Sequence, residues 1–174
     1  MSSHNKARKM VYMGLLISLA MTLSYFERFI PLPYSVPGMK LGLANIITVT
    51  CIMYFKKREV FMIVISRILL TALIIGSMMS FFYSLSGGVL SSLGMLFVYR
   101  YFGNKVSTIG ISVLGGVLHN VGQLLVLNVI TGRTTIALYY APILMIAGIL
   151  TGVFVGIASM YFIKHVKIIF RFDS

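Results

Sequence analysis

ILLTALIIGSMMSFFYSLSGGVLSSLGMLFVY, residues 68–99, runs for thirty-two positions without a charged side chain. A helix crosses the bilayer core with roughly 20 apolar residues, so this stretch is too long for one crossing. It must hold a turn and the greater part of two helices. The turn-forming segment Tyr83-Ser84-Leu85-Ser86-Gly87-Gly88 is the expected break. Uncharged runs of similar character occupy residues 10–26, 41–55, 106–132 and 134–163. Read outward from the long run, the pattern predicts helices near 10–26, 38–55, 60–82, 88–102, 107–130 and 141–163. The expected fold is an all-α integral membrane protein of six transmembrane helices, with residues 10–163 as a single domain. Pro142 fits the first turn of the sixth helix, where its missing N–H is not needed.

Composition agrees. Of 174 residues, 59% are hydrophobic and only 10% charged, and the mean hydropathy is +0.98. A soluble domain carries roughly a quarter of its residues charged, so material for a water-facing surface is missing. The acids are Glu27, Glu59 and Asp173. That scarcity excludes paired-carboxylate glycoside hydrolysis and any aspartate cluster holding magnesium on a diphosphate. Cys51 is alone, which leaves no disulfide framework and no cysteine zinc site. No P-loop is present, so the chain is not expected to hydrolyse ATP by itself; no catalytic residue, metal or cofactor is expected.

The net charge of +12 is punctuation between apolar runs, not a nucleic-acid patch. With the N-terminus in the cytoplasm, eleven cations fall inside: Lys6, Arg8, Lys9, Lys56, Lys57, Arg58, Arg100, Lys105, Lys164, Lys167 and Arg171. Arg28, Lys40 and Arg133 fall outside, and Arg67 lies within the third helix. This bias predicts that both termini face the cytoplasm. Residues 1–9 then form a basic cytoplasmic N-terminus, and 164–174 a basic tail lying on anionic lipid or on a partner. No A-x-A-like site precedes Glu27, so the first run is expected to stay as an uncleaved helix.

Small residues recur every fourth position in three helices: Gly148, Gly152 and Gly156; Gly14, Ser18 and Thr22; Ser112 and Gly116, leading to Asn120. Such stripes let helix backbones approach closely. They serve either packing within the bundle or, for one of them, docking on another membrane subunit; the first helix is the candidate for docking.

Polar side chains at membrane depth are default site candidates. Arg67 lies eight residues beyond Glu59, roughly 12 Å along the helix, and needs an anion, carbonyls or water. His119 and Gln123 share a helix face with Asn120 beside them; they line a cavity or bond neighbouring helices. A stiff Pro31–Pro33–Pro37–Gly38 connector leads from Glu27 to Lys40 and Asn45, and serves as a lid or as a plain link. Tyr83, Ser84 and Ser86 with Gly87 and Gly88 are expected in the next external turn. Lys40, Arg67 and Arg28 outweigh Glu27, which favours an anionic or polar-headed ligand.

The string Glu27-Arg28-Phe29-Ile30-Pro31, PGMKLGLAN at 37–45, Arg67, FFYSLSGGVLS at 81–91 and GISVLGGVLHNVGQ at 110–123 resemble the Gx transporter family. That family is also labelled heptaprenyl diphosphate synthase component I and is related to the substrate-binding S components of energy-coupling factor transporters. The resemblance spans roughly residues 10–160. It implies a six-helix membrane subunit that captures a small molecule, with an isoprenoid or quinone precursor suggested, for uptake driven by a transmembrane coupling subunit and two cytoplasmic ATPases. The implied ligand chamber holds Glu27, Lys40, Asn45, Arg67, Tyr83, Ser84, His119, Asn120 and Gln123. S components often dock through alanines on the first helix; here Gly14, Ser18 and Thr22 stand in that place. The synthase label implies the alternative, a non-catalytic membrane accessory of a prenyl diphosphate synthase or quinone-pathway enzyme, because Asp173 alone cannot supply the two Asp-rich motifs of such a synthase.

Overall fold

The computed structural model describes residues 3–30, 40–75 and 77–166. It is helical nearly throughout: α1 (Ser3–Phe26), α2 (Asn45–Tyr54), α3 (Lys57–Ile75), α4 (Met78–Phe102), α5 (Thr108–Thr131) and α6 (Thr134–Val166). There is no strand among the described residues. α1, α4, α5 and α6 are long and apolar enough to cross a membrane, which marks a multi-pass membrane protein. α3 carries Arg58, Glu59 and Arg67, and α2 has only 10 residues.

α2 is the axis of the bundle and packs against every other helix. Its shortness comes from Gly42, whose φ of +88° cannot continue a right-handed helix. The helix expected from residue 38 therefore begins at Asn45, after a turn closed by Asn45 N–H donating to the Gly42 carbonyl at 2.8 Å. This non-helical backbone is enclosed by protein, with Gly42 and Ala44 buried. The proline connector, residues 31–39, lies outside the described residues, as does the tail from 167 onward. Lys164–Val166 belong to α6.

The break between α3 and α4 differs from expectation. It falls at Ser77, whose side chain accepts from Ser80 N–H at 3.2 Å as an N-cap, while residues 83–88 run inside α4. Their small side chains make a close helix contact, not a turn. A Cβ placed on Gly122 of α5 would stand 2.7 Å from the Gly87 Cα, and Ser86 Oγ donates to the Gly122 carbonyl at 2.8 Å. α6 also starts earlier than expected, leaving Pro142 within the helix. Membrane helices accept this because neighbouring groups satisfy the freed carbonyl. α5 matches expectation closely, capped by Ser107 at its start and by left-handed Gly132 at its end.

The Gly148–Gly152–Gly156 stripe packs on α5. A Cβ on Gly152 would lie 2.6 Å from the Val113 Cα, and one on Gly156 2.7 Å from the Ile109 Cα. The α1 stripe is different: Gly14, Ser18 and Thr22 are exposed, and nothing lies within 4 Å of a Cβ on Gly14.

The two ends of the bundle are chemically distinct. At the basic end Lys9 Nζ meets a Glu59 carboxylate oxygen at 2.7 Å, and the Tyr54 hydroxyl donates to the Ile163 carbonyl at 3.5 Å. An apolar core of Ile47, Val49, Ile63, Met95 and Ile111 fills the bundle above it. Glu27, Ser77 and Gly132 mark the far end.

Candidate functional site

Just below the far end, side chains from five segments converge. Glu27 leaves the short turn after α1 and accepts from Gly42 N–H. Gln123 of α5 holds the same strap with both ends of its amide: Nε2 donates to the Lys40 carbonyl at 2.8 Å, and Oε1 accepts from Lys40 N–H at 3.4 Å. The strap 40–44 is thus latched between α1 and α5. Beneath it, a Cβ on Gly42 would meet Asn45 Nδ2 at 3.1 Å and the His119 ring at 3.3 Å. His119 faces Gly87 of α4, and Arg67 reaches past Gly88, with Nη2 3.5 Å from a Cβ placed there. Glycines at 42, 87 and 88 leave the room that the His119 and Arg67 side chains occupy.

Arg67 sits ten residues into α3, about 15 Å along its axis, and is 5% exposed. Glu27 and Cys51 lie within electrostatic reach of it, but no ion pair within bonding distance joins Arg67 to Glu27. Its Nε finds no hydrogen-bond acceptor. The same lack recurs around it. Among the described residues, seven buried side-chain atoms have no partner, and six belong to this cluster: Asn45 Oδ1, Arg67 Nε, Thr71 Oγ1, Ser84 Oγ and both His119 ring nitrogens. The seventh, Ser112 Oγ, is at the α5–α6 contact. Each buried polar group left unmatched costs about 1–3 kcal/mol. Six such atoms gathered in one place make a buried surface with unused hydrogen-bonding capacity. The set offers donors (Arg67, Thr71, Ser84) and acceptors (Asn45), with His119 able to supply one of each.

The space among them is small. Between Lys40, Thr71, Ser80 and Ser84 only about 10 Å³ is open, roughly one water-sized sphere.

Glu27, Lys40, Asn45, Arg67, Ser84, His119 and Gln123 lie together at this end of the bundle, though Gln123 and the Lys40 backbone serve each other. Two residues do not join them. Asn120 Nδ2 donates to the Leu144 carbonyl at 2.6 Å, stitching α5 to α6. Tyr83 packs with Leu124, Leu127 and Ala137, because one position along α4 turns it about 100° from Ser84. Nothing is described of the Arg28 side chain. Thr71 and Ser80 are additions. Thr71 follows Arg67 by four residues and so shares its face, a spacing readable in the chain.

A model of one protein family matches residues 16–162, from within α1 to near the end of α6. The chain belongs to the heptaprenyl diphosphate synthase component I family. The match covers α2 to α5 entirely, so every residue of the cluster falls inside the family region. Searches of curated proteins and of solved structures returned no match.

For this family member, breaking the latch has a measurable consequence. Gln123→Leu removes both hydrogen bonds to Lys40 and is expected to raise amide hydrogen exchange at residues 40–46 by about tenfold, from roughly 1–1.5 kcal/mol of lost closure. Exchange elsewhere should be unaltered. Unchanged protection at 40–46 would mean that Glu27 alone holds the strap.

Proposed function

We propose that the chain is the substrate-capture membrane subunit of an energy-coupling factor type uptake transporter. In this reading it sits in the cell membrane with both termini cytoplasmic, and takes a small anionic or polar-headed molecule at the far end. The observation that carries the reading is the gathering of six unmatched buried polar atoms around Arg67. A guanidinium and a histidine under a latched strap favour a ligand with an anionic or strongly polar end, an isoprenoid or quinone precursor among them. The ligand's oxygens would take the place of missing partners for Arg67, Thr71 and Ser84, and the strap would close over it. No residue of the cluster is assigned a catalytic role. Energy would come from partners, a transmembrane coupling subunit and two cytoplasmic ATPases. Gly14, Ser18 and Thr22 would dock the coupling subunit: all three are exposed, and nothing lies within 4 Å of a Cβ on Gly14.

A second reading is favoured by the family's own description: a non-catalytic membrane accessory of a prenyl diphosphate synthase or quinone-pathway enzyme. Affinity purification from native membranes separates them. Recovery of ATPase subunits, lost in a Gly14→Leu variant, is the result expected of the uptake subunit. Recovery of a prenyl synthase whose turnover rises in the complex would overturn it in favour of the second reading.

A further inference from the structure

A cleft of about 340 Å³ lies on the side of the bundle between α1 and α3. Ser18, Met21, Thr22 and Tyr25 line it from α1, and Thr71 and Ile74 from α3. The four α1 residues follow at steps of three and four, so they share one helix face. Tyr25 is 43% and Ile74 67% exposed, and Ser18 and Thr22 are exposed as well. The cleft therefore opens sideways, toward lipid, beside a helix long and apolar enough to span the membrane.

Thr71 is where this cleft meets the Arg67 cluster. It stands on the lining of the cleft and on that of the small polar space shared with Lys40, Ser80 and Ser84. It is 7% exposed, and its hydroxyl has no partner. Arg67, Thr71 and Ile74 follow at i, i+4 and i+7 on α3, a single stripe about 10 Å long. The stripe begins at the buried guanidinium and ends at the exposed rim of the cleft. The polar space admits one water-sized group, whereas the cleft admits roughly eleven at about 30 Å³ each. Room for the rest of a ligand held at Arg67 thus exists across Thr71, in the cleft.

We infer that the ligand of the Arg67 cluster is an anionic amphiphile whose apolar body lies in the α1–α3 cleft, entered from the lipid side. The inference rests on the cluster being a ligand site, and adds where the body of the ligand lies. The lining sorts the two ends of such a molecule. Met21, Tyr25 and Ile74 offer apolar surface. The Ser18 and Thr22 hydroxyls donate within their own helix, to the Gly14 carbonyl at 3.0 Å and the Ser18 carbonyl at 2.9 Å. The first unpaired hydroxyl on the way inward is therefore that of Thr71, with Arg67 one turn beyond it. A guanidinium matches a carboxylate or similar oxyanion by its planar fork. Ser18 and Thr22 also belong to the stripe proposed for docking, so a partner helix seated there would cover the mouth of the cleft.

The chain has no tryptophan, which permits a direct test. Tyr25→Trp puts a single fluorophore on the cleft, and Leu73→Trp puts one on α3 outside the lining, at a position 80% exposed. The probe is 10-bromodecanoate, a carboxylate with a quenching bromine at the end of its chain, titrated into the full chain in phosphatidylcholine nanodiscs. Probe dissolved in the bilayer quenches any lipid-facing fluorophore in proportion to its concentration. Tyr25→Trp is expected to show a saturable component above that baseline, and Leu73→Trp none. Adding Arg67→Met should remove the saturable component, as should filling the cleft by Ser18→Phe or, separately, by Thr22→Phe. Decanoate should displace the probe, whereas acetate and 1-decanol, each lacking one end of the ligand, should not at equal concentration. Loss with Arg67→Met but with neither cleft-filling variant would overturn the inference while leaving the cluster as a ligand site. Loss with the cleft-filling variants alone, or displacement by 1-decanol, would make the cleft a plain lipid contact and overturn it. Absence of any saturable component would overturn it too. The cluster itself is read separately, by whether Arg67→Met loses a small molecule that the wild type retains, so the two failures are distinguishable.

Discussion

Arg67→Met is expected to leave the protein as stable as wild type or more so, while abolishing the far-end binding proposed for it. A buried guanidinium without full pairing costs desolvation energy that its neighbours return only in part. Replacing buried ionic groups by apolar ones of similar volume is often neutral or stabilising, by about 1–4 kcal/mol. Glu27 is not stranded by the change, because it keeps the hydrogen bond it accepts from Gly42 N–H. Binding moves the other way: removing one side of a buried charge contact costs about 2 kcal/mol or more, at least roughly 30-fold. Thermal unfolding in detergent and native mass spectrometry for a retained small molecule read the two quantities on one sample. A destabilised Arg67→Met that retains its small molecule would make the arginine a strut between helices and end the case for a binding site.

The second large effect belongs to the α5–α6 contact. Gly152→Leu puts a Cβ 2.6 Å from the Val113 Cα and 3.0 Å from the Ser112 carbonyl oxygen. Both are backbone atoms, with no side-chain end to swing aside. Overpacking where neighbours can give costs about 1–3 kcal/mol; here two helices must separate, so the loss should exceed that range and the yield of folded protein should fall sharply. Gly14→Leu is the control, with open space around it. It should unfold at the wild-type temperature and show its defect only in recovery of the partner complex. Similar unfolding temperatures for Gly152→Leu and wild type would mean that α5 and α6 do not rely on this contact.

These two glycines show where reading the chain stops. Gly14 and Gly152 lie in identical-looking four-residue stripes, yet one faces open space and the other a backbone. Spacing defines a smooth helix face but not its rotation toward a neighbour. The same limit misplaced the α3–α4 turn. Ser-Gly-Gly at 86–88 and Gly-Ser at 76–77 are both breaker segments, and only the contact between Gly87 and Gly122 tells that the first lies in a helix. Tyr83 and Ser84 were then expected together in a loop, whereas on a helix they point to different cores. Arg67, His119 and Gln123 are legible in the chain as buried polar groups, because a polar group in an apolar run is costly wherever it points.

The bilayer class, the placing of cations at one end and the presence of a buried arginine follow from residue order alone. Transfer into lipid is a cost each residue bears separately, so runs of apolar and charged side chains report it directly. Which buried polar atoms lack partners is another matter. Asn120 and Asn45 are the same residue type in similar apolar surroundings. Asn120 donates to the Leu144 carbonyl of α6, and the Asn45 amide oxygen is left without a donor. That difference depends on distances of a few ångströms between helices far apart in the chain, and it exists only once they have packed.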